Sequence, residues 1–433
     1  MLVLLQAFDD GARQVLASLD AAGIKATTVV IGYDGDLPDG ALCPLTTYTG
    51  LPRDGKPLFF NDIPVPPLCE IRQDKDPHGL VLRDGAIIGH INYEPNSFRI
   101  VESVDWLASD GAVASTQHFD RYGNHYASTY YADGAAYQTS YHGPGRWIVD
   151  VNHASQSVIM RSPDQMLTFA SMTDFVTHFL ADQGIGDDNT VINSLHYPWF
   201  VMRERSTAPH TTLIWQEPMP GDIPGNMRAE LENPRALSRI VVSDQHVLDR
   251  LRSEYPNTSV DLTYLSPIGQ IADHTGYDAR RCFTLTNSDD LPWLETLLAA
   301  HPSVTFSVAA LTLMSDKLHG LARSYPNLLL TPTINQTGIL DELAQASVYL
   351  DINAGAQVLD AVTAAYRLGL LVMADGALAK TPANALVYDT VDALSWVLGE
   401  VTASAADRKR VVAALHTQHG PLSTVEDYRR VLR

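Results

Sequence analysis

Cysteine is scarce in this chain of 433 residues. The three cysteines, Cys43, Cys69 and Cys282, are far apart in the sequence, and no two of them have C-x-x-C spacing. A disulfide framework needs several paired cysteines, and a structural zinc site needs closely spaced ligands. The sequence therefore excludes a disulfide-stabilised miniprotein and contains no zinc motif.

Positive charge is also low. Lys and Arg total 30 against 50 Asp and Glu, which gives a formal net charge of −20. Binding to a phosphate backbone or to an anionic bilayer needs clustered cations. We therefore expect neither nucleic acid nor a bare lipid surface as the main partner.

Long apolar runs are missing as well. The N-terminal segment begins apolar but ends at Asp9 and Asp10, and it lacks the cationic start and the long apolar core of a signal peptide. No run reaches the roughly 18–20 apolar residues of a membrane span. We expect a cytoplasmic protein that is peripheral at the inner face of the cell membrane only through its partners.

The common phosphate-binding and catalytic motifs do not occur. The segment Gln6–Gly11 after the first strand has one glycine and two acids instead of G-x-G-x-x-G, and no P-loop, G-x-S-x-G or H-E-x-x-H motif is present. His118 and His125 flank a hairpin turn, but a metal site needs further ligands, so the favoured interpretation is histidines on surface strands. We predict no cofactor, no metal and no catalytic residue in this chain.

Hydropathy patterns divide the chain into α/β segments and one β-rich segment. Residues 1–32 have the pattern of strand, helix and strand. Between about residues 85 and 162, seven short β-branched or aromatic runs alternate with turn signals, and Gly111, Gly123 and Gly134 have the spacing of an antiparallel meander. After Pro163 strands and helices alternate again, which implies parallel sheets.

These patterns predict two α/β domains, with a β-sheet domain inserted in the first. The first domain is expected in two parts, residues 1–40 and 164–228, on either side of an extended β-sheet insert over residues 41–163. The second domain, with C-terminal helices, is expected over residues 229–433 after a hinge near Gly221–Pro234.

Five ordered segments of the chain resemble one protein family. They are similar to segments of the non-catalytic, stabilising subunit of the bacterial peptide O-N-acetylglucosaminyltransferase of the accessory Sec system. The resemblance extends from the first strand to about residue 375. No single segment is specific for this family, but the order of the five segments is. The segments are Leu58-Phe-Phe-Asn-Asp-Ile-Pro-Val-Pro-Pro67, Ile192-Asn-Ser-Leu195, Ile214-Trp-Gln-Glu-Pro218 with Ile223-Pro-Gly-Asn-Met227, Ala309-Ala-Leu-Thr312 with Met314-Ser315, and Val348-Tyr-Leu-Asp-Ile-Asn353 with Gln357-Val358.

The resemblance implies a fold and a function. The expected fold is a GT-B-like pair of Rossmann-type domains that face a cleft, with the antiparallel β-meander domain inserted in the first. The expected partner is a catalytic glycosyltransferase subunit that binds UDP-N-acetylglucosamine, in a heterotetramer with two copies of each subunit. The complex is expected to attach the first GlcNAc to Ser/Thr of serine-rich repeat adhesins before accessory Sec export. The chain itself is expected to hold the polypeptide acceptor and not to be an enzyme.

The second domain departs from active retaining enzymes of this type. Those enzymes carry two glutamates eight positions apart, before a glycine and a buried strand. Counting back from Gly369 places these positions at Ala356 and Ala364, whose side chains can neither hydrogen-bond a ribose nor stabilise charge. We therefore predict a lost donor site. The nearby Gln357 and Asp360 keep open the alternative of a shifted register.

Polar residues at the carboxyl ends of predicted strands are candidates for binding the acceptor. An indole and two polar side chains in Trp215–Glu217 suit an extended peptide, but Trp215 in a core and Glu217 as a helix cap fit equally well. Asn226 lies either in a cleft loop or in a hinge turn, and Asp351 and Asn353 suit helix capping as well as acceptor binding. The candidates are Trp215, Gln216, Glu217, Asn226, Asp351, Asn353 and Gln357.

Aromatic residues of the insert and its connector are candidates for contact with the catalytic subunit. A sheet without helices in its own sequence needs something to cover its apolar face. We therefore expect the insert to contact the partner, and the alternatives are a self-packed sheet face and a rigid connector. The candidates are Phe59, Phe60, Trp106, Tyr122, Tyr126 and Tyr130.

Two other functions fit part of the sequence. An active retaining UDP-sugar glycosyltransferase would use a carboxylate of the second domain, such as Asp351 or Asp360, to handle the donor. A carbohydrate-binding module would use the tyrosines and Asp-Gly turns of the hairpins, but the lack of a secretion signal counts against it.

Overall fold

The protein consists of two compact units in a computed structural model that describes residues 1–73, 78–95, 97, 99–186, 189–269 and 271–433. The first unit contains residues 1–266 and 424–433, and the second contains residues 267–423. Among the described residues each unit has a six-stranded sheet, and the first also carries a longer antiparallel sheet. The predicted fold class, a GT-B-like pair of Rossmann-type domains with an inserted antiparallel meander, is confirmed.

The first unit opens with a strand, a helix and a strand, as predicted. Strand β1 (Leu2–Leu5) is buried along its whole length, as a continuous apolar run in a central parallel strand should be. Asp9 begins helix α1 (Asp10–Ala21) by accepting a hydrogen bond from Ala12 N at 2.8 Å. Strand β2 (Thr27–Val30) and helix α2 (Pro44–Thr49) follow.

The antiparallel meander comes next. Within the described residues it has ten strands, which are neighbours in the sheet in their chain order. Its turns use Gly111, Gly123 and Gly134, all with positive φ angles that suit glycine. The strands are β3 (Cys69–Gln73), β4 (Gly79–Arg83), β5 (Ala86–Tyr93), β6 (Val101–Leu107), β7 (Val113–Phe119), β8 (His125–Ala132), β9 (Ala135–Tyr141), β10 (Ile148–Asn152), β11 (Val158–Arg161) and β12 (Met166–Phe169).

The meander is longer than predicted. The structure adds β3 and β4 before the seven predicted strands and β12 after them, beyond the predicted end at residue 163. Strand β12 is exposed apart from the half-buried Phe169, so it lacks the alternation that marks a half-buried strand. Strand β3 does alternate, with Cys69 and Ile71 against the meander core and Glu70 and Arg72 exposed, but only over a short run. One of the seven predicted runs, over residues 98–107, begins at a residue outside the described ones, and β6 starts at Val101.

The chain then returns to the first parallel sheet. Its strand order is β16-β15-β14-β13-β1-β2, with every pair parallel. The elements are α3 (Met172–Asp182), β13 (Thr190–Ile192), α4 (Tyr197–Arg205), β14 (Thr211–Trp215), α5 (Gly225–Glu232), β15 (Leu237–Val242), α6 (Gln245–Glu254) and β16 (Asp261–Tyr264).

The boundary between the two α/β domains lies later than the predicted residue 228. Strand β15 pairs with β14 from Thr211 with Leu237 to Trp215 with Val242, so the chain after residue 228 extends the first sheet. The predicted hinge contains α5, and the buried Glu230 carboxylate accepts hydrogen bonds from Ala236 N and Leu237 N. These bonds fix the turn into β15. The part of the first unit that begins at residue 1 continues to Ser266.

The second unit contains the other parallel sheet, in the order β19-β18-β17-β20-β21-β22. Helix α13 (Val425–Leu432) returns to the first unit, where Tyr428 Oη donates to Ser266 O at 3.1 Å. Among the helices that the structure describes, none combines the length and the apolar character needed to cross a bilayer. The elements are β17 (Asp278–Thr286), α7 (Leu294–Ala300), β18 (Thr305–Ala310), α8 (Asp316–Ser324), β19 (Leu328–Thr331), α9 (Gln336–Gln345), β20 (Ala346–Asp351), α10 (Ala361–Arg367), β21 (Leu371–Asp375), β22 (Leu386–Tyr388), α11 (Val391–Ala403) and α12 (Ala405–His416).

Each parallel sheet has one switch point, where the connections from two central strands leave in opposite directions. In the first unit it lies between β1 and β13, and in the second between β17 and β20. Open α/β sheets bind ligands at the carboxyl ends of the strands beside a switch point. We therefore expect ligand-binding residues directly after these four strands.

Candidate functional site

A buried asparagine holds the switch point of the second unit. Asn353, two residues beyond β20, is 3% exposed. Its Oδ1 accepts from Thr286 Oγ1 and from Gly355 N, both at 2.9 Å, and its Nδ2 donates to Ala356 O at 3.1 Å and to Asn287 Oδ1 at 3.3 Å. These bonds use the whole capacity of a carboxamide. Asn353 therefore connects the two central strands to the next loop and has no polar group left for a ligand.

Lys380 closes the same edge of the sheet. Its backbone N donates to Asp351 Oδ2 at 2.6 Å, and its Nζ donates to Asn353 O at 2.5 Å and to Leu378 O at 2.7 Å. Burial raises the pKa of Asp351, and the hydrogen bond and charge of Lys380 offset part of that rise. Asp351 therefore holds the segment around Lys380 in place through this hydrogen bond. No sequence motif indicated Lys380.

A small cavity remains beside Asp351 and Asn353. Its empty volume is about 180 Å³, below the roughly 300–1,000 Å³ of ordinary ligand pockets, so this cavity by itself is too small for a nucleotide sugar. Gln357 is exposed and donates to Asp360 Oδ1 at 2.5 Å. The lining residues are Leu285, Tyr349, Asp351, Asn353, Gln357, Val358, Ala361, Val362 and Lys380.

The two alanines of the predicted lost donor site lie next to this region. Ala356 is exposed in the loop after β20, and its carbonyl is held by Asn353. Ala364 is half-buried in α10 and packs against the core of the second unit. Neither position carries a side chain that can bind a ribose. The loss of the donor site stays a prediction, with this geometry in its favour.

The switch point of the first unit is built from uncharged amides. Gln6 follows β1 and Asn193 follows β13. Gln6 N donates to Asn193 Oδ1 at 3.0 Å, and Gln6 Oε1 accepts from Tyr197 N at 3.2 Å. Gln6 Nε2 and Asn193 Nδ2 have no hydrogen bond to any described residue. No motif of the sequence marks either side chain, although Asn193 lies in one of the segments that carry the resemblance.

The predicted residues Trp215, Gln216 and Glu217 lie at this edge too, but in different environments. Trp215 is 7% exposed, so the core interpretation fits it, and its Nε1 has no hydrogen-bond partner among the described residues. Gln216 is half-buried and donates from Nε2 to Gln14 Oε1 of α1 at 3.0 Å. Glu217 is exposed.

Asn226 joins the same part of the first unit. It lies in the first turn of α5 rather than in a hinge, and its Nδ2 donates to Leu195 O at 2.9 Å. The predicted acceptor residues therefore fall into two sets, one in each unit: Trp215, Gln216, Glu217 and Asn226 in the first, and Asp351, Asn353 and Gln357 in the second. A common cleft for the two sets stays a prediction.

The N-terminus of α1 is occupied by a side chain of the protein. Asp9 Oδ1 accepts from Ala12 N, and Asp10 adds a second carboxylate in the first turn. Phosphate groups bind helix N-termini through free N–H groups and the positive end of the helix dipole. The capped, acidic start of α1 therefore disfavours a phosphate, as the sequence indicated.

Two of the predicted partner contacts are internal. Phe60, in a short 3-10 helix (Phe60–Asp62), is 7% exposed and belongs to the meander core. Tyr126 is also 7% exposed and packs edge-on against Tyr33, with ring centroids 4.7 Å apart. Both side chains are covered by the protein itself, which corrects the expectation that they form a partner surface.

The other four aromatic candidates differ in exposure. Phe59 and Trp106 are partly buried and pack against the meander core. Tyr122 is half-buried, with the Arg121 guanidinium 5.5 Å from its ring centre. Tyr130 is 37% exposed, so it is the most suitable of the six for contact with another protein.

The two histidines beside the hairpin turn bond to hydroxyl groups. His118 Nε2 lies 2.9 Å from Thr129 Oγ1, and His125 Nε2 lies 3.0 Å from Ser128 Oγ. Burial, with a contribution from His142, lowers the pKa of His125 to about 4. In the part of the chain that the structure describes, no three His, Cys, Asp or Glu side chains are placed to hold a metal.

Models of three protein domains match most of the chain. The model described as GtfB middle domain matches residues 69–170, which contain the meander strands. The model described as GtfB third domain matches residues 172–253. The GftB/GlyA-F C-terminal domain matches residues 282–415, within the second unit.

Known proteins are similar over nearly the whole length. The UDP-N-acetylglucosamine–peptide N-acetylglucosaminyltransferase stabilizing protein GtfB of Streptococcus pneumoniae serotype 4 is 32% identical over 86% of this chain and 84% of its own. A chain in the crystal structure of the GtfA/B complex bound to UDP and GlcNAc is 28% identical with a TM-score of 0.88, over 100% of this chain and 99% of that one. The pneumococcal O-GlcNAc transferase GtfA is 12% identical with a TM-score of 0.56, over 100% of this chain and 98% of that one. The last likeness concerns the fold alone.

Proposed function

We propose that this chain, which belongs to the family of GtfB stabilising proteins of peptide N-acetylglucosaminyltransferases, forms a complex with a catalytic glycosyltransferase subunit and is not the transferase itself. The pneumococcal relative is named as a stabilising protein, and a chain with the same fold occurs in a GtfA/B complex. The similarity covers both units of this chain, so it supports a role of the whole chain in such a complex.

The proposed substrate is a serine-rich repeat adhesin, which the complex modifies with a first GlcNAc on Ser/Thr before accessory Sec export. The chain would bind the unmodified polypeptide while its partner binds UDP-N-acetylglucosamine. We place the complex in the cytoplasm, at the inner face of the membrane only through partners, with two copies of each subunit. The family resemblance supports these points.

The proposal that the chain is not catalytic rests on one observation. At the switch point of the second unit, Asn353 and Lys380 use their polar groups on the protein itself, and the two positions expected to bind a donor are Ala356 and Ala364. A retaining transferase stabilises charge on the donor with positioned polar groups. This arrangement supplies none at those two positions.

Glycosyl transfer tests the proposal directly. Transfer from labelled UDP-N-acetylglucosamine to a serine-rich repeat peptide is measured with this chain alone, with the catalytic subunit alone, and with both. We expect label incorporation to need both subunits, or to rise well above the catalytic subunit alone. Turnover by this chain alone would show that it is an active retaining transferase, and no effect on the partner would exclude the stabilising role.

Contact through the meander has its own test. We propose that the exposed tyrosines Tyr130 and Tyr137, whose ring centroids are 6.4 Å apart, contribute to the surface that meets the catalytic subunit. Paired substitution to serine should weaken co-purification with the catalytic subunit, because aromatic side chains dominate protein interfaces. The same substitution at Trp396, which is 68% exposed on α11, is the control. Equal co-purification of all variants would locate the interface elsewhere.

A further inference from the structure

We propose that the first unit binds the acceptor by its peptide main chain, through a row of uncharged carboxamides at the carboxyl edge of the first parallel sheet. The proposal rests on acceptor binding as part of the proposed function and adds the way in which the acceptor is recognised. We call these residues the carboxamide row: Gln6, Gln14, Asn193, Gln216 and Asn226.

Each member of the carboxamide row uses one half of its amide on the protein itself. Three members accept through oxygen: Asn193 from Gln6 N, Gln6 from Tyr197 N, and Gln14 from Gln216 Nε2. Gln216 and Asn226 instead donate through nitrogen, to Gln14 Oε1 and Leu195 O. These bonds fix the side chains before any ligand binds, which reduces the entropy lost on binding.

The other half of each amide has no hydrogen bond to a described residue. Three donors remain, on Gln6 Nε2, Gln14 Nε2 and Asn193 Nδ2, and two acceptors remain, on Gln216 Oε1 and Asn226 Oδ1. All five side chains are half-buried, and none of their five free atoms is among the fully enclosed polar atoms without a partner. The row therefore offers both kinds of hydrogen-bonding group.

The row extends across neighbouring strands. Gln6, Asn193 and Gln216 follow β1, β13 and β14, which are adjacent in the sheet and so about 4.8 Å apart. Gln14 is tied to Gln216, and Asn226 is tied to the loop two residues after Asn193. An extended peptide presents N–H and C=O groups along its length with a rise of about 3.3 Å per residue. Donors and acceptors spread over three strands suit that pattern.

Neutrality of the row points to the class of ligand. A carboxamide carries no charge, and Asp9, the nearest carboxylate before α1, is used as its N-cap. Binding through the main chain does not depend on the side chains of the acceptor. One site therefore binds many different segments of a repetitive Ser/Thr-rich polypeptide. Peptide recognition through main-chain hydrogen bonds is a general mode of binding extended segments.

Isosteric substitutions separate the structural half of each amide from the free half. Gln6→Glu, Gln14→Glu and Asn193→Asp keep the oxygen that the protein uses and remove the free N–H donor. We expect each to weaken peptide binding about three- to tenfold, the value of one hydrogen bond. Gln336→Glu, on the exposed first turn of α9 in the second unit, adds the same charge elsewhere. Glu232→Gln removes an exposed charge at the end of α5 in the first unit. Both controls should bind like the wild type.

Binding is measured by fluorescence anisotropy on the complex with the catalytic subunit, without UDP-sugar. The probes are a labelled Ser/Thr/Ala peptide, the same peptide with Gly or Ala in place of every Ser and Thr, and a backbone N-methylated form. We expect the second to bind within about threefold of the first, and the third to lose about tenfold or more. Strong preference for Ser/Thr side chains would overturn main-chain recognition, as would tight binding of the N-methylated peptide.

The outcomes separate this proposal from the one on which it rests. If the wild-type complex does not bind the Ser/Thr/Ala peptide, acceptor binding fails and main-chain recognition fails with it. If the wild type binds the peptide and the three substitutions have no effect, only the carboxamide row is excluded. If both controls weaken binding as much as the three substitutions, charge rather than donor loss is responsible, and the row is again excluded.

Discussion

At the scale of single residues, the same functional group has two different roles at the two switch points. All the hydrogen-bonding capacity of Asn353 is used inside the second unit. Gln6 and Asn193 in the first unit each use their oxygen and leave their nitrogen free. Substitution at Asn353 should therefore change stability first, whereas isosteric substitution at Gln6 or Asn193 should change binding.

Asn353→Ala provides the stability test. It removes the acceptor of Thr286 Oγ1 and of Gly355 N at a position that is 3% exposed. We expect the free energy of unfolding of the second unit to fall by about 1–3 kcal/mol, the cost of buried polar groups without partners. Urea unfolding followed by hydrogen exchange in β17 and β20 measures it. Asn257→Ala, at an exposed turn, is the control, and equal stability of both variants would contradict the structural role.

Residue-scale features were the hardest to predict from sequence. Ala356 and Ala364 could be singled out only because a family pattern exists for those positions, and their role stays a prediction. Gln6, Gln14 and Lys380 belong to no motif, and their roles depend on strands that are distant in sequence. Gln6 and Asn193 meet only because β1 and β13 pair in parallel.

At the scale of elements, the meander was predictable where its strands are half-buried and its turns contain glycine. The strands from β5 to β11 have half-buried faces and the turns between β6 and β10 contain glycine, so these strands were found. The edge strand β12 has no buried face to impose alternation. The segment that forms β15 was assigned to the wrong unit, because its pairing with β14 is set by packing rather than by local sequence.

The turn from α5 to β15 depends on one buried carboxylate. Glu230 is 1% exposed and accepts from Trp199 Nε1 as well as from Ala236 N and Leu237 N. Glu230→Ala should lower the free energy of unfolding of the first unit by about 2–4 kcal/mol, because several buried donors lose their acceptor. Thermal unfolding is the measurement, with the exposed Glu232→Ala as its control. Similar melting temperatures for the two variants would refute this role of Glu230.

Histidines on β7, β8 and the end of β9 should make the meander sensitive to acid. The folded pKa of His125 is about 4, whereas an unfolded histidine has a pKa of about 6.5. Between these values the unfolded chain binds a proton that the folded chain does not, so stability falls as pH decreases from about 6.5 to about 4. Burial lowers the pKa values of His118 and His142 as well and adds to the loss.

Melting temperature as a function of pH tests this dependence. His125→Gln should flatten the acid side of the profile, because it removes the group whose protonation the fold opposes. The exposed His246→Gln should leave the profile unchanged. A His125→Gln profile parallel to that of the wild type would mean that other groups cause the acid sensitivity.

At the scale of the whole molecule, the C-terminal helix belongs to the unit that contains the N-terminus. Tyr428, Val431 and Leu432 of α13 are buried, and Arg429 Nε donates to Ala22 O at 2.8 Å after α1. Removal of residues 424–433 should destabilise the first unit by several kcal/mol, since each buried side chain contributes about 1.5–3 kcal/mol. The second unit should keep its stability.

Hydrogen exchange resolved by segment measures the effect of this truncation. Loss of protection is expected in α1 and β15 and not in β20 or β21. Arg430→Ala, which removes only an exposed ion pair with Asp427, is the control and should change little. Uniform loss of protection in both units would show that they unfold as one.

The return of α13 to the first unit also affects how the two units can evolve. The chain leaves the first unit after Ser266 and re-enters it at Thr424, so the second unit is nested within the first. Tyr428 Oη, from the first turn of α13, lies 3.1 Å from Ser266 O, so the two crossing points are separated by no more than about one side chain and one helical turn. We therefore expect that a gene segment coding for residues 267–423 can be replaced by a Gly/Ser linker with retention of the first unit. A nested module of this kind can change during evolution while the unit around it keeps its surfaces.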